Sequence, residues 1–189
     1  MSADFATERT IMVDSQVRPQ DVTDLSIQDA MRSVPRETLV PAGKSWLAYA
    51  DAEVEYAPGR WMLRPRDVAK LLQGVRPKAG ERALAIAAPY AAAVLEAMGL
   101  AVTRLDGADL KSVEGQWPLI VCEGAVEEVP PKWLAAIAPG GRLVVIERKG
   151  PTGAAVLHVR SEAGLGSRSL FDCVAPVLAG FEARQGFVF

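Results

Sequence analysis

Ile27, Ala30, Met31 and Val34 recur at the i, i+3, i+4, i+7 spacing of one helical face, behind Asp24 as a cap and ahead of Pro35 as a stop. That spacing predicts a helix. A second is predicted from Pro65, which suits a first turn, with Asp67 placed against the helix dipole and Val68, Leu71 and Leu72 facing inward. Between them, Glu37 to Gly59 has no clean period and predicts an irregular connection that covers part of the core.

From Lys78 the pattern changes. Ala83 to Ala87 is a short apolar run, Pro89 to Met98 an Ala-rich helix former closed by Gly99, and Ala101 to Leu105 the next strand, together a βαβ unit. Leu119 to Cys122 predicts a strand, Pro131 to Ala138 a helix, and Gly140-Gly141 a turn into a strand at Leu143 to Glu147. Short buried strands separated by helices predict an α/β fold, with a doubly wound, mostly parallel sheet covered on both faces. The Pro/Gly-rich stretch Arg148 to Gly153 joins Leu143 to Glu147 with Ala154 to Val159 as an antiparallel C-terminal hairpin, and Phe181 to Phe189 predicts a closing strand. A length of 189 residues predicts one domain, with residues 1–77 as a helical extension packed on a Rossmann-like core of residues 78–189.

Composition narrows the function classes. Lys and Arg number 21 against 23 Asp and Glu, without a basic run, so nucleic acid is not the expected partner. No apolar stretch is long enough to span a bilayer, and residues 1–19 contain no apolar core segment of a signal peptide, so a cytoplasmic location is expected. Cys122, Cys173 and the single His158 lack ligand spacing, so neither a metal nor a disulfide is expected.

The blocks MVDSQVRP (Met12 to Pro19), AMRSVPRETLVP (Ala30 to Pro41), AYADAEV (Ala48 to Val54), VEEVPPKWL (Val126 to Leu134) and PGGRLVVI (Pro139 to Ile146) resemble, in order, the protein-L-isoaspartate O-methyltransferase family. The stretch EGAVEEVP (Glu123 to Pro130) and the pattern over Leu170 to Phe181 resemble its bacterial isoaspartate methyltransferase-like branch. The resemblance implies the class I methyltransferase fold, a seven-stranded sheet with S-adenosylmethionine at the carboxyl ends of its first strands.

Three departures from the family stand out. Its acidic residue and glycine-rich turn, D-x-G-x-G-x-G-Y, correspond here to Ala85, Ile86, Ala87, Ala88, Pro89 and Tyr90. A Cβ restricts positive φ and close ligand approach, proline removes a donor, and alanine favours an early helix start. Only Asp106 to Pro118 separates Leu105 from Leu119, enough for one link but not for the family's third strand with its helix. Loss of that outer strand exposes the edge of Ala101 to Leu105. The family's T-I-S-x-P segment, with its hydroxyl pair, corresponds to Trp61, Met62, Leu63, Arg64 and Pro65.

The expectation is a family member that has lost S-adenosylmethionine binding and methyl transfer, with no catalytic residue and no cofactor, acting through a protein partner or self-association. The alternative is an active S-adenosylmethionine-dependent protein carboxyl O-methyltransferase with an atypical pocket. In that case Ala87, Asp106 and Glu123 are the cofactor-binding candidates. Read without that context, Asp106 is a turn former, Glu123 with Glu127 and Glu128 a solvated charge, His158 a structural or surface residue, and Cys122 a small buried hydrophobe. Trp46, Trp61, Trp117 and Trp133 are packing residues unless two prove exposed together.

Overall fold

In the computed structural model the described residues are 4–107 and 109–183. Helix α1 (Phe5–Met12), capped by the Asp4 side chain, continues through a wider turn at Val13–Val17. Helix α2 (Leu25–Ser33) starts at Asp24, whose carboxylate accepts the Ser26 and Ile27 N–H groups, and buries Ile27, Ala30 and Met31 as the apolar spacing requires. After α2 the chain forms short turns of 3-10 helix at Arg36–Thr38 and Ser45–Leu47. It then makes a two-stranded antiparallel ribbon, β1 (Val54–Ala57) with β2 (Arg60–Met62), inside and just beyond the stretch expected to be irregular. Its strands are too short for an alternation of apolar residues to register. Helix α3 (Pro65–Val75) follows and buries Asp67, Val68, Leu71 and Leu72.

The main sheet consists of β3 (Arg82–Ile86), β4 (Ala101–Leu105), β5 (Trp117–Val126), β6 (Ile137–Lys149), β7 (Thr152–Ser161) and β8 (Gly164–Asp172), in the spatial order β4-β3-β5-β6-β7-β8. The first four strands are parallel and the last two antiparallel. Helix α4 (Pro89–Ala97) makes the β3–β4 crossover, and α5 (Pro131–Ala135) lies between β5 and β6. Among the described residues, Asp106 to Gln116 contributes no strand, so β4 is the sheet edge, as the shortened link implies.

Alternation along the strands divides the core. Ala83, Ala85, Leu119, Val121, Val144 and Ile146 pack under α2, α3 and α4. Leu84, Ile86, Ile120, Cys122, Leu143 and Val145 face Trp133 of α5, Leu110 and the segment carrying Leu178 and Phe181.

Some expectations change. Helix α5 stops at Ala135, and β6 begins at Ile137 rather than Leu143, because Gly140 and Gly141 let an extended chain bend within the strand. The sheet closes on β8, whose mostly exposed, Gly- and Ser-rich sequence carries no hydrophobic signal. The expected strand at Phe181 to Phe189 is absent over 181–183, and residues 184–189 lie outside the described residues. Helix α4 does not start early, since Ala87 takes up a left-handed conformation (φ 45°) that interrupts the helix despite its Cβ.

Candidate functional site

The strand order turns at β3, with β4 on one side and β5 on the other. Open α/β sheets bind ligands in the crevice at the carboxyl ends of such strands. Here that place is bounded by the turn after Ile86 and by residues 122–124 of β5.

The turn is sealed. Ala87 N–H donates to the Leu105 carbonyl at 3.0 Å, tying it to the end of β4. Ala85, Ala87, Ala88 and Tyr90 are all buried. Across from it, β5 carries two extra residues relative to β6 between Val121 and Ala125. Leu178 packs so closely on Gly124 that a Cβ there would lie 2.7 Å from its side chain.

That irregularity holds Glu123 at 0% exposure. One carboxylate oxygen, Oε1, accepts the Leu63 N–H at 3.1 Å; the other, Oε2, accepts the N–H groups of Tyr90 at 3.0 Å and Ala91 at 2.9 Å. A single side chain therefore joins the segment before α3 to the first turn of α4. Burial pushes its carboxyl up to about 7, opposed by the Arg36 charge and by the three N–H donors. The reading of Glu123 as a solvated charge is corrected here: the bulge turns it inward, where the amides replace water.

Arg36 completes this interior. It is fully buried, donates from Nε to the Ala48 carbonyl at 2.7 Å and from Nη2 to the Leu63 carbonyl at 2.6 Å, and lies 4.4 Å from the centre of the Tyr90 ring. Its Nη1 and the Tyr90 hydroxyl have no partner among the described residues. Arginine usually signals surface, so neither Arg36 nor its placement emerged from the sequence pattern.

The β1–β2 ribbon covers the β4 side of the crevice. Arg60 donates from Nη1 to the Asp106 carbonyl and from Nη2 to the Gly107 carbonyl, the latter at 2.6 Å. The Tyr56 hydroxyl lies 3.5 Å from an Asp106 carboxylate oxygen, and burial, with Asp106 nearby, raises its pKa. Asp106 itself is exposed, whereas Ala87 and Glu123 are buried. A cavity of about 380 Å³ near this ribbon is lined by Pro58, Arg60, Asp109, Lys111, Leu178 and Phe181 among others, and the alanine turn is not part of its wall.

The other candidates fall elsewhere. Cys122 is buried in β5, and His158 pairs with Glu147 at 2.8 Å on the β6–β7 hairpin. Of the tryptophans, Trp133 is buried and bonds the Leu110 carbonyl, while Trp46 alone is strongly exposed, at 74%. Among the described residues no group of His, Cys, Asp and Glu is placed to hold a metal, and no helix is long and apolar enough to cross a membrane.

The chain is 30% identical to the protein-L-isoaspartate O-methyltransferase of Methylorubrum extorquens over an alignment of 170 positions, covering 75% of each chain. It is 31% identical to protein-L-isoaspartate O-methyltransferase 2 of an Anaeromyxobacter species, covering 81% of this chain and 74% of the relative. The chain belongs to the protein-L-isoaspartate O-methyltransferase family. No family model matches it. The family fold is supported by a crystal structure from Plasmodium falciparum, described as a protein-L-isoaspartate O-methyltransferase in complex with S-adenosyl-L-homocysteine. It superposes with a TM-score of 0.73 at 16% identity, covering 90% of this chain and 97% of the other. The segments that Glu123 joins lie beside the two runs, Ala85 to Tyr90 and Trp61 to Pro65, in which the sequence resemblance implies departures from the family's motifs.

Proposed function

We propose that this family member keeps the methyltransferase fold but does not hold S-adenosylmethionine, and that it acts as a non-catalytic binding or assembly protein. The observation that carries the reading is the Glu123 carboxylate, which takes up the N–H groups of Leu63, Tyr90 and Ala91 inside the crevice. Backbone donors at the start of a helix are what an incoming anionic group would use, and here they are already satisfied by the chain itself.

Three further features support it. The buried turn Ala85 to Tyr90 offers no carboxylate, its proline N has no hydrogen, and its alanine Cβ atoms stand where glycines admit a ligand. Among the described residues the shortened link contributes no third strand from which an acidic residue could hold the adenine. Trp61 and Leu63 bring no hydroxyl for a methyl acceptor. These residues do not fit an adenosyl group. Calorimetric titration with S-adenosylmethionine and S-adenosylhomocysteine tests the reading: no heat of binding is expected, and micromolar binding of either overturns it.

A second reading, an active protein carboxyl O-methyltransferase with an atypical pocket using Ala87, Asp106 and Glu123, is favoured by the comparisons. The relatives are named for that activity, and the Plasmodium falciparum structure is a complex with S-adenosyl-L-homocysteine. Transfer of labelled methyl groups to an isoaspartyl peptide, abolished by Asp106→Ala, is its expected signature.

For the assembly role we infer self-association through β4, a sheet edge without a neighbouring strand among the described residues. Light scattering should show a species larger than the monomer; a monomer at high concentration contradicts this part of the reading.

A further inference from the structure

The crevice closes around one carboxylate, and its surroundings are those of a carboxylate receptor. The Leu63 N–H comes from the segment before α3, and the Tyr90 and Ala91 N–H groups from the first turn of the nine-residue helix α4. All three converge on a group with 0% exposure. Arg36, also fully buried, lies between the same two segments, with Nη2 on the Leu63 carbonyl at 2.6 Å and its guanidinium carbon 4.4 Å from the Tyr90 ring centre. Its Nη1 is without a partner among the described residues, so a buried guanidinium bonded only to carbonyls supplies positive charge beside the three amides. Side chains of other types do not build this site. It is made of backbone positioned by two elements and one arginine.

We propose that Leu63, Tyr90, Ala91 and Arg36 form a built carboxylate-binding cradle that Glu123 occupies in cis, so that Glu123 is an internal ligand keeping small carboxylates out. This deepens the reading of a closed crevice and rests on it. The class of ligand follows from the geometry: two oxygens on one carbon, taking one amide at one oxygen and two at the other, with a short apolar stem buried behind them.

The test is Glu123→Ala, which removes a CH2–COO⁻ unit, the size of one acetate ion. In sodium acetate, at ionic strength held constant with sodium chloride, the variant's melting temperature should rise saturably. The expected rise is about 5–10 °C when acetate reaches a hundred times its Kd. The wild type and Glu123→Gln, both with the cradle filled, should not respond. If Glu123→Ala is unfolded in chloride, the same titration reads recovery of native near-ultraviolet circular dichroism. No acetate-specific stabilisation or recovery, or an equal response from all three proteins, overturns the proposal. Failure here leaves the wild type's behaviour toward S-adenosylmethionine untouched, because that is read by calorimetry on a different protein and ligand.

Discussion

Glu123 and Ala91 meet at 2.9 Å, carboxylate oxygen to backbone N–H, across the junction where β3 gives way to α4. The contact links an irregularity in β5 to the start of a helix it does not precede in sequence. Its loss should cost stability in proportion to the donors left unpaired. Each buried unsatisfied N–H costs about 1–3 kcal/mol, so Glu123→Leu, which strands three, is expected to destabilise by about 3 kcal/mol or more. Glu123→Gln, which retains acceptor oxygen, should lose less. Urea unfolding of both variants checks the order.

The same residue sets a pH dependence. Burial raises the Glu123 carboxyl from an ordinary 4.5 to about 7 in the folded protein. Between those values the folded state binds more protons than the unfolded one. The Glu123 contribution to stability therefore falls as pH rises through that window and levels off above it. Asp4, held down by its hydrogen bonds with Thr7, and Glu81, held down by Arg142, act in the opposite direction. The measurable quantity is accordingly the difference between wild type and Glu123→Gln, which should shift in favour of the variant from pH 5 to pH 8 by urea denaturation. An unchanging difference would place the Glu123 carboxyl at its ordinary value.

Ala87 holds φ at 45°, where a Cβ costs about 1–2 kcal/mol. Ala87→Gly removes that penalty and adds unfolded-state entropy of about 0.5–1 kcal/mol. A net stabilisation of up to about 1 kcal/mol is expected. Chemical denaturation checks it, and the variant should still not bind S-adenosylmethionine, because Glu123 and the ribbon remain.

Arg60 fastens the ribbon to the backbone after β4 through the Asp106 and Gly107 carbonyls. Arg60→Ala should speed hydrogen exchange at the amides of Leu105, Asp106 and Gly107 while shifting global stability by no more than about 1 kcal/mol, as for other exposed contacts. Unchanged exchange there would deny the ribbon its covering role.

Much of this fold is legible in the chain. Asp24, Pro65 and Gly99 mark helix ends through local chemistry, and the apolar runs at Ala83 and Leu119 are strands because buried parallel strands need little alternation. The ribbon and β8 escape notice because one is too short and the other too exposed to leave a hydrophobic period. The altered turn and missing strand were visible as substitutions and as a short link. The burial of Glu123, which the sequence offered only as a cofactor-binding candidate or a surface charge, and the place of Arg36 were not, since a carboxylate and a guanidinium look like surface until a bulge and a set of distant carbonyls show otherwise.

The most direct test is a crystal of this protein soaked with S-adenosylmethionine. No adenosyl density is expected beside Ala85 to Tyr90, with Glu123 still within hydrogen-bonding distance of the Tyr90 and Ala91 amides. An ordered cofactor seated against that turn, with Glu123 displaced, would contradict it.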